Sequence, residues 1–152
     1  MTSPGKWRRY VPSDMPNKVS RIILDTNLWI SFLISRDFSK LDDLIITKGC
    51  VLIFSKELLD EFLEVASRPK FRRYFSQSDV EDILDTIDEF AEFITVKSQF
   101  DLCRDVKDNF LLSLSLDGAA DFLITGDSDL IDIKEFNNTR ILNITDFFNL
   151  NI

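Results

Sequence analysis

Short, nearly continuous apolar runs recur along the chain at Ile22 to Leu24, Cys50 to Phe54, Phe93 to Val96, Ala120 to Thr125 and Arg140 to Ile144. Runs this short, with no polar residue alternating through them, fit strands covered on both faces in a parallel sheet. Between them the apolar positions change to a helical period. Leu28 to Ile34 and Phe38 to Lys48 predict two helices, with a break near Ser35 to Asp37 and Gly49 as the terminator. Ser55 predicts an N-cap for a helix reaching about Ser67, in which Leu58, Leu59, Phe62, Val65 and Ala66 form the buried stripe. Ser78 predicts the cap of another, with Val80, Ile83, Leu84, Ile87, Phe90 and Ala91 at the 3.6 period. Leu111, Leu112, Leu114 and Leu116 bury a helix that enters at about Lys107 and ends at Gly118. Leu130 to Phe136 predicts a short helix, and Thr145 and Asp146 a terminal turn.

Strands that alternate with helices predict an α/β protein: one domain, a three-layer α/β/α sandwich around a central parallel sheet of four to five strands. Its 152 residues and 45% apolar content suit one domain with a substantial core. Residues 1 to 19 read as a basic N-terminal arm outside the core, partly disordered, carrying Lys6, Arg8, Arg9 and Lys18 together with Trp7 and Tyr10. The domain proper is expected at residues 20 to 152. No apolar run is long enough for a membrane span and Met1 to Asn17 lacks a signal-peptide core, so a cytoplasmic protein is expected.

The chain contains no histidine. That excludes Ser-His-Asp and Cys-His nucleophilic schemes, and it removes the usual general base at neutral pH. Cys50 and Cys103 lack CxxC spacing, so a thiolate zinc site is not expected. A hydrolase built from this chain has to rely on carboxylates, or on a metal that carboxylates hold.

Asp25 follows the first strand and Asp127 follows the fourth. Right-handed crossovers place both strand ends on one edge of the sheet, where α/β folds bind ligands. Asp108, in the first turn of a helix that enters from that edge, and Glu61, on the helix after the second strand, extend the group. Four carboxylates together without histidine repel one another unless cations neutralise them, and hard oxygen donors select Mg²⁺ or Mn²⁺. The chemistry that follows is metal-assisted hydrolysis of a phosphodiester. Glu57, Asp60 and Glu64 compete with Glu61 for its place, and Asp105 competes with Asp108.

The net charge of -8 opposes a polyanionic partner. However, much of it falls on one helix face, at Asp79, Glu81, Asp82, Asp85, Asp88, Glu89 and Glu92. Arg68, Lys70, Arg72 and Arg73, interleaved with Phe71, Tyr74 and Phe75, combine the cations and rings that single-stranded nucleic acid binding uses. These four are expected beside the acidic edge, gripping a nucleic acid backbone.

Taken in order, Leu24-Asp25-Thr26-Asn27, the segment Glu57 to Val65, Arg104-Asp105 with Asp108-Asn109-Phe110-Leu111-Leu112, and Thr125-Gly126-Asp127-Ser128-Asp129-Leu130 resemble the motifs of PIN-domain ribonucleases. The resemblance spans residues 20 to 147 and is nearest to the bacterial VapC-like toxins of toxin-antitoxin pairs. It implies that Asp25, Glu61, Asp108 and Asp127 bind the metal, with Asp129 as a further ligand or an orienting group, and that Asn27 and Thr125 position water or hold the loop. It also implies an RNA substrate, a homodimer and a small antitoxin partner. One departure is Val106, where related sequences often have proline. Two other readings stay open: an RNA-binding or scaffold protein without turnover, and an aspartyl-nucleophile phosphohydrolase, which usually has a second acid where this chain has Asn27.

Overall fold

The computed structural model describes residues 19–150. Nearly all of the expected arm therefore lies outside the described residues. The elements run β1 (Arg21–Leu24), α1 (Thr26–Ser35), α2 (Ser39–Asp42, continued by a wider turn over Asp43–Thr47), β2 (Val51–Phe54) and α3 (Lys56–Ala66). After a single turn at Pro69–Phe71 come α4 (Gln77–Phe90), β3 (Ala91–Phe93) and α5 (Val106–Asp117). The chain then forms β4 (Phe122–Ile124), α6 (Ser128–Ile131), β5 (Glu135–Phe136), β6 (Thr139–Leu142) and α7 (Ile144–Phe148).

The sheet order is β3-β2-β1-β4-β6-β5. Five of these strands are parallel, and β5 pairs antiparallel with β6. The fold is the expected α/β sandwich with one strand added. The stretch read as a helix to Phe136 stops at Ile131, and the left-handed residues Lys134 and Asn137 turn the chain into the β5-β6 hairpin. Neither position is glycine, so these turns carry no glycine signal in the chain.

β1 is the centre of the fold. Ile22, Ile23 and Leu24 are buried, with sheet neighbours on both sides and helices above and below. Removing each from water contributes about 1.5–3 kcal/mol, which is why the strand carries no polar face. Trp29 of α1 packs against Phe32, Phe54 and Phe62, and so ties α1 to β2 and α3.

Several boundaries differ from the sequence expectation. α4 is capped by Ser76 rather than Ser78: the Ser76 hydroxyl accepts from the Asp79 N–H, and the Asp79 carboxylate accepts from the Ser76 N–H. This reciprocal pair satisfies two donors at once, which a cap at Ser78 would not. β3 is the extended exit from α4 at Ala91–Phe93, earlier than the predicted run at Phe93 to Val96. The final helix is capped by Asn143, whose side chain accepts from the Asp146 N–H. No helix among the described residues is long and apolar enough to cross a membrane.

Candidate metal centre at the sheet edge

The strand order reverses at the seam between β1 and β4: the chain leaves β1 toward β2 on one side and later returns to add β4 on the other. Crevices at such reversals, beyond the strands' C-terminal ends, are the usual ligand sites of open α/β sheets. Asp25 follows β1 and Asp127 stands three residues after β4, so both carboxylates meet at that crevice. Leu24 is level with Ile124. The Asp25 N–H extends the ladder by donating to the Ile124 carbonyl at 3.0 Å.

Asp25 occupies the position before α1, yet its side chain makes no capping bond to that helix. Instead, one carboxylate oxygen accepts a 2.7 Å hydrogen bond from the hydroxyl of buried Thr125. The same hydroxyl accepts from the Asp127 N–H at 3.0 Å, so Thr125 links the two strand-end aspartates. Asp127 in turn accepts from the Asp129 N–H at 2.9 Å and starts α6.

Asp108 is 5% exposed, in the first turn of α5, where the helix N-terminus favours a carboxylate. Ligand oxygens of Asp108, Asp127 and Asp129 lie within 4.8 Å of one another. Of the two, Asp108 stands in the cluster with Asp127 and Asp129, while the Asp105 carboxylate caps α5 by accepting from the Lys107 N–H at 2.9 Å. Asn109 accepts from the N–H groups of Leu102 and Cys103 and donates to the Cys103 carbonyl, which fixes the loop entering the helix.

Glu61 completes the opposite wall. It is half-buried, and one oxygen accepts from the Thr26 hydroxyl at 3.0 Å while the other pairs with the Lys107 ammonium at 3.3 Å. Its competitors lie outside these contacts: Asp60 pairs with Lys56, Glu64 pairs with Arg68, and Glu57 is exposed in the first turn. Glu57, Glu61 and Glu64, at i, i+4 and i+7, share one helix face, so partners rather than rotation separate them: Glu61 is the one bonded to Thr26 and Lys107. Thr26 was not singled out from the sequence. Asn27, which was, is exposed on α1, and its side chain makes no hydrogen bond among the described residues.

The electrostatics mark the group as one unit. Burial pushes the Asp108 carboxyl up to about 7, reinforced by the charge of Asp127, a hydrogen bond to it, and the charges of Asp105 and Asp25. Asp25 is also raised, mainly by burial, with smaller contributions from the charges of Glu61 and Asp127 and opposition from the Thr125 hydroxyl and the Thr26 N–H. Among the described residues no ion pair reaches Asp25, Asp108 or Asp127. A buried carboxylate beside like charges, with no cation of its own, is the environment that a hard divalent ion compensates. Asp108, Asp127 and Asp129 offer only oxygen donors, the chemistry that suits a hard divalent ion, while Asp25 and Glu61 border that cluster rather than belong to it.

The basic segment after α3 is partly committed to its own structure. Both forks of Arg68 bond Glu64, at 3.1 and 2.9 Å. Lys70 stands 5.1 Å from the Phe71 ring centroid, Arg73 5.6 Å from that of Tyr74, and Phe71 stacks on buried Phe75. Arg72 is exposed. Two cations that the sequence did not single out stand closer to the acids: Lys107 on Glu61, and Arg104, whose guanidinium bonds Asp129 at 3.0 Å.

A family model described as PIN domain matches residues 21–129. A protein of Methanocaldococcus jannaschii, described only as uncharacterized, is 30% identical over 126 residues, which cover 81% of this chain and 81% of that protein.

Proposed function

The chain belongs to the PIN-domain family, a nuclease fold, and from that premise we propose that it is a Mg²⁺- or Mn²⁺-dependent endoribonuclease. The observation that carries this reading is the buried Asp108 carboxylate facing Asp127 across the β1-β4 crevice with no cation paired to it. Asp25, Glu61, Asp108 and Asp127 hold the metal in this reading, with Asp129 as the rim ligand. When bound, the ion acidifies water at neutral pH and stabilises the charge that develops on the phosphodiester, the task that histidine would otherwise share.

The protein's own residues set up that chemistry. Thr125 holds Asp25 and the Asp127 backbone in fixed relation, and Thr26 aims Glu61 inward. Such orienting contacts to ligand carboxylates typically govern metal affinity and activity by 10–100-fold. Arg68, Lys70, Arg72 and Arg73 supply backbone contacts to the RNA, with Arg72 the least engaged within the fold.

The VapC-like resemblance supports a narrower role, the toxin of a toxin-antitoxin pair, acting in the cytoplasm as a homodimer restrained by a small antitoxin. Its support is the order and spacing of the four motifs. The scaffold reading is disfavoured, because a buried acidic group with no metal to hold costs stability through like-charge repulsion.

The test of the activity is cleavage of a panel of structured RNAs by purified protein with Mg²⁺, Mn²⁺ or EDTA, alongside Asp25→Asn and Asp127→Asn. Cleavage is expected only with metal and is expected to vanish in both variants; activity in EDTA, or full activity in both variants, would sink the mechanism. The toxin role has its own test: a short neighbouring reading frame whose product binds this protein and restores growth.

A further inference from the structure

The segment from Arg104 to Lys107 straddles the acidic crevice. Lys107 reaches Glu61 on α3 at 3.3 Å, and Arg104 reaches Asp129 at the start of α6 at 3.0 Å, with Asp108 directly after Lys107 in the chain. The backbone beneath these cations is fixed by the Asn109 clamp on residues 102 and 103 and by the Asp105 cap on α5. The side chains themselves are exposed, Arg104 at 88% and Lys107 at 57%. Pairs this exposed hold their partners weakly and exchange them readily.

We propose that Arg104 and Lys107 are the phosphate grips of the site, parked on Asp129 and Glu61 until a divalent cation takes over those carboxylates. This rests on the reading of the acidic group as a metal centre. A carboxylate that gives its charge to a divalent ion has little left for a guanidinium or an ammonium, so both cations turn to the most anionic group that enters the crevice, the RNA backbone. Arg68 behaves differently: its partner Glu64 lies outside the group of proposed ligands, so metal binding leaves that pair as it is.

The test uses the full chain, Arg104→Gln, Lys107→Gln, the double variant, and Lys97→Gln as a control for net charge. Titration calorimetry with Mn²⁺ and no RNA is expected to show roughly two- to tenfold tighter binding in the double variant, because the competing internal cations are gone. Binding of a cleavage-resistant single-stranded oligouridylate is then measured over a salt series, with and without Mn²⁺. In the wild type the salt slope should steepen when Mn²⁺ is added, by about 0.7 for each cation released to a phosphate, and in the double variant this gain of about 1.4 should be lost. Lys97→Gln should retain it. A wild-type slope indifferent to Mn²⁺, or a double variant that keeps the full gain while binding Mn²⁺ normally, overturns the grip and leaves the metal centre standing. Failure of folded wild-type protein to bind Mn²⁺ overturns both.

Discussion

The Thr125 hydroxyl donates to Asp25 across the β1-β4 seam at 2.7 Å and accepts from the Asp127 N–H at 3.0 Å. One buried oxygen thus sets the spacing between two proposed ligands that are far apart in the chain. Thr125→Val keeps the shape and removes both bonds, leaving a carboxylate oxygen and an N–H without their partner. A stability loss of about 1–3 kcal/mol is expected. Mn²⁺ affinity or cleavage should fall by about 10–100-fold. Calorimetry and a cleavage time course check the second effect independently of the first.

The acidic centre should make metal-free protein less stable as pH rises. Asp108 is raised from its ordinary 3.8 to about 7, and Asp25 is raised too. Between those values the folded chain binds more protons than the unfolded chain, so stability falls as pH increases through the window. The carboxyls with lowered values, Asp37, Glu64, Asp79 and Asp117, act in the opposite sense, but toward the acid end, around and below their ordinary values of 3.8 to 4.5. Thermal melts in EDTA from pH 4.5 to 7.5 should show a declining Tm. Asp108→Asn should flatten the decline and melt higher than wild type at pH 7.5, although it is expected to be inactive.

The same repulsion predicts a strong response to metal. At a free Mn²⁺ concentration of 100 times Kd, binding to the folded state alone contributes about 2.7 kcal/mol. For a domain of this size that is a rise in Tm of roughly 5–10 °C. The rise should be larger at pH 7.5 than at pH 5, and smaller in Asp25→Asn and Asp127→Asn. A scanning fluorimetry titration at the two pH values checks it.

Two glycines that look alike in sequence should respond oppositely to alanine. A Cβ on Gly118 would sit 2.8 Å from Ile53 Cγ2 and 2.9 Å from the Leu114 carbonyl oxygen, and the latter is helix backbone that cannot step aside. Gly118→Ala should therefore cost about 1–3 kcal/mol. Gly126 has nothing within 4 Å of that position, although it lies between Thr125 and Asp127. Gly126→Ala should be neutral or stabilising by up to about 1 kcal/mol, through the unfolded chain. Denaturant melts of the two variants should separate cleanly.

The layering and most of the acidic centre could be read from sequence because parallel strands advertise themselves. A run such as Ile22-Ile23-Leu24 has few other uses in a chain this size, and the first polar residue after it must stand at the sheet edge. Asp25 was legible for that reason; after β4 the same place falls to Thr125, and Asp127 follows two residues on. The choice among Glu57, Asp60, Glu61 and Glu64 was not, because it turns on the partners Thr26 and Lys107, which are distant in sequence. The reciprocal Ser76-Asp79 cap was written in the chain as S-x-x-D, but Ser78 stands closer to the apolar stripe and drew the boundary to itself. Arg104 and Lys107 carried no local signal: their importance comes from partners 25 and 46 positions away, on α6 and α3.

The place of β4 beside β1 has a consequence in time. Asp25 and its partner Thr125 are separated by 100 residues of chain, which translation takes roughly 5–20 s to add. Until β4 emerges and pairs with β1, Asp25 has neither Thr125 nor Asp127 beside it. In the nuclease reading proposed above, the metal centre is therefore not assembled while the chain up to β4 is still being made, and action on RNA waits for the strand that brings Thr125 and Asp127.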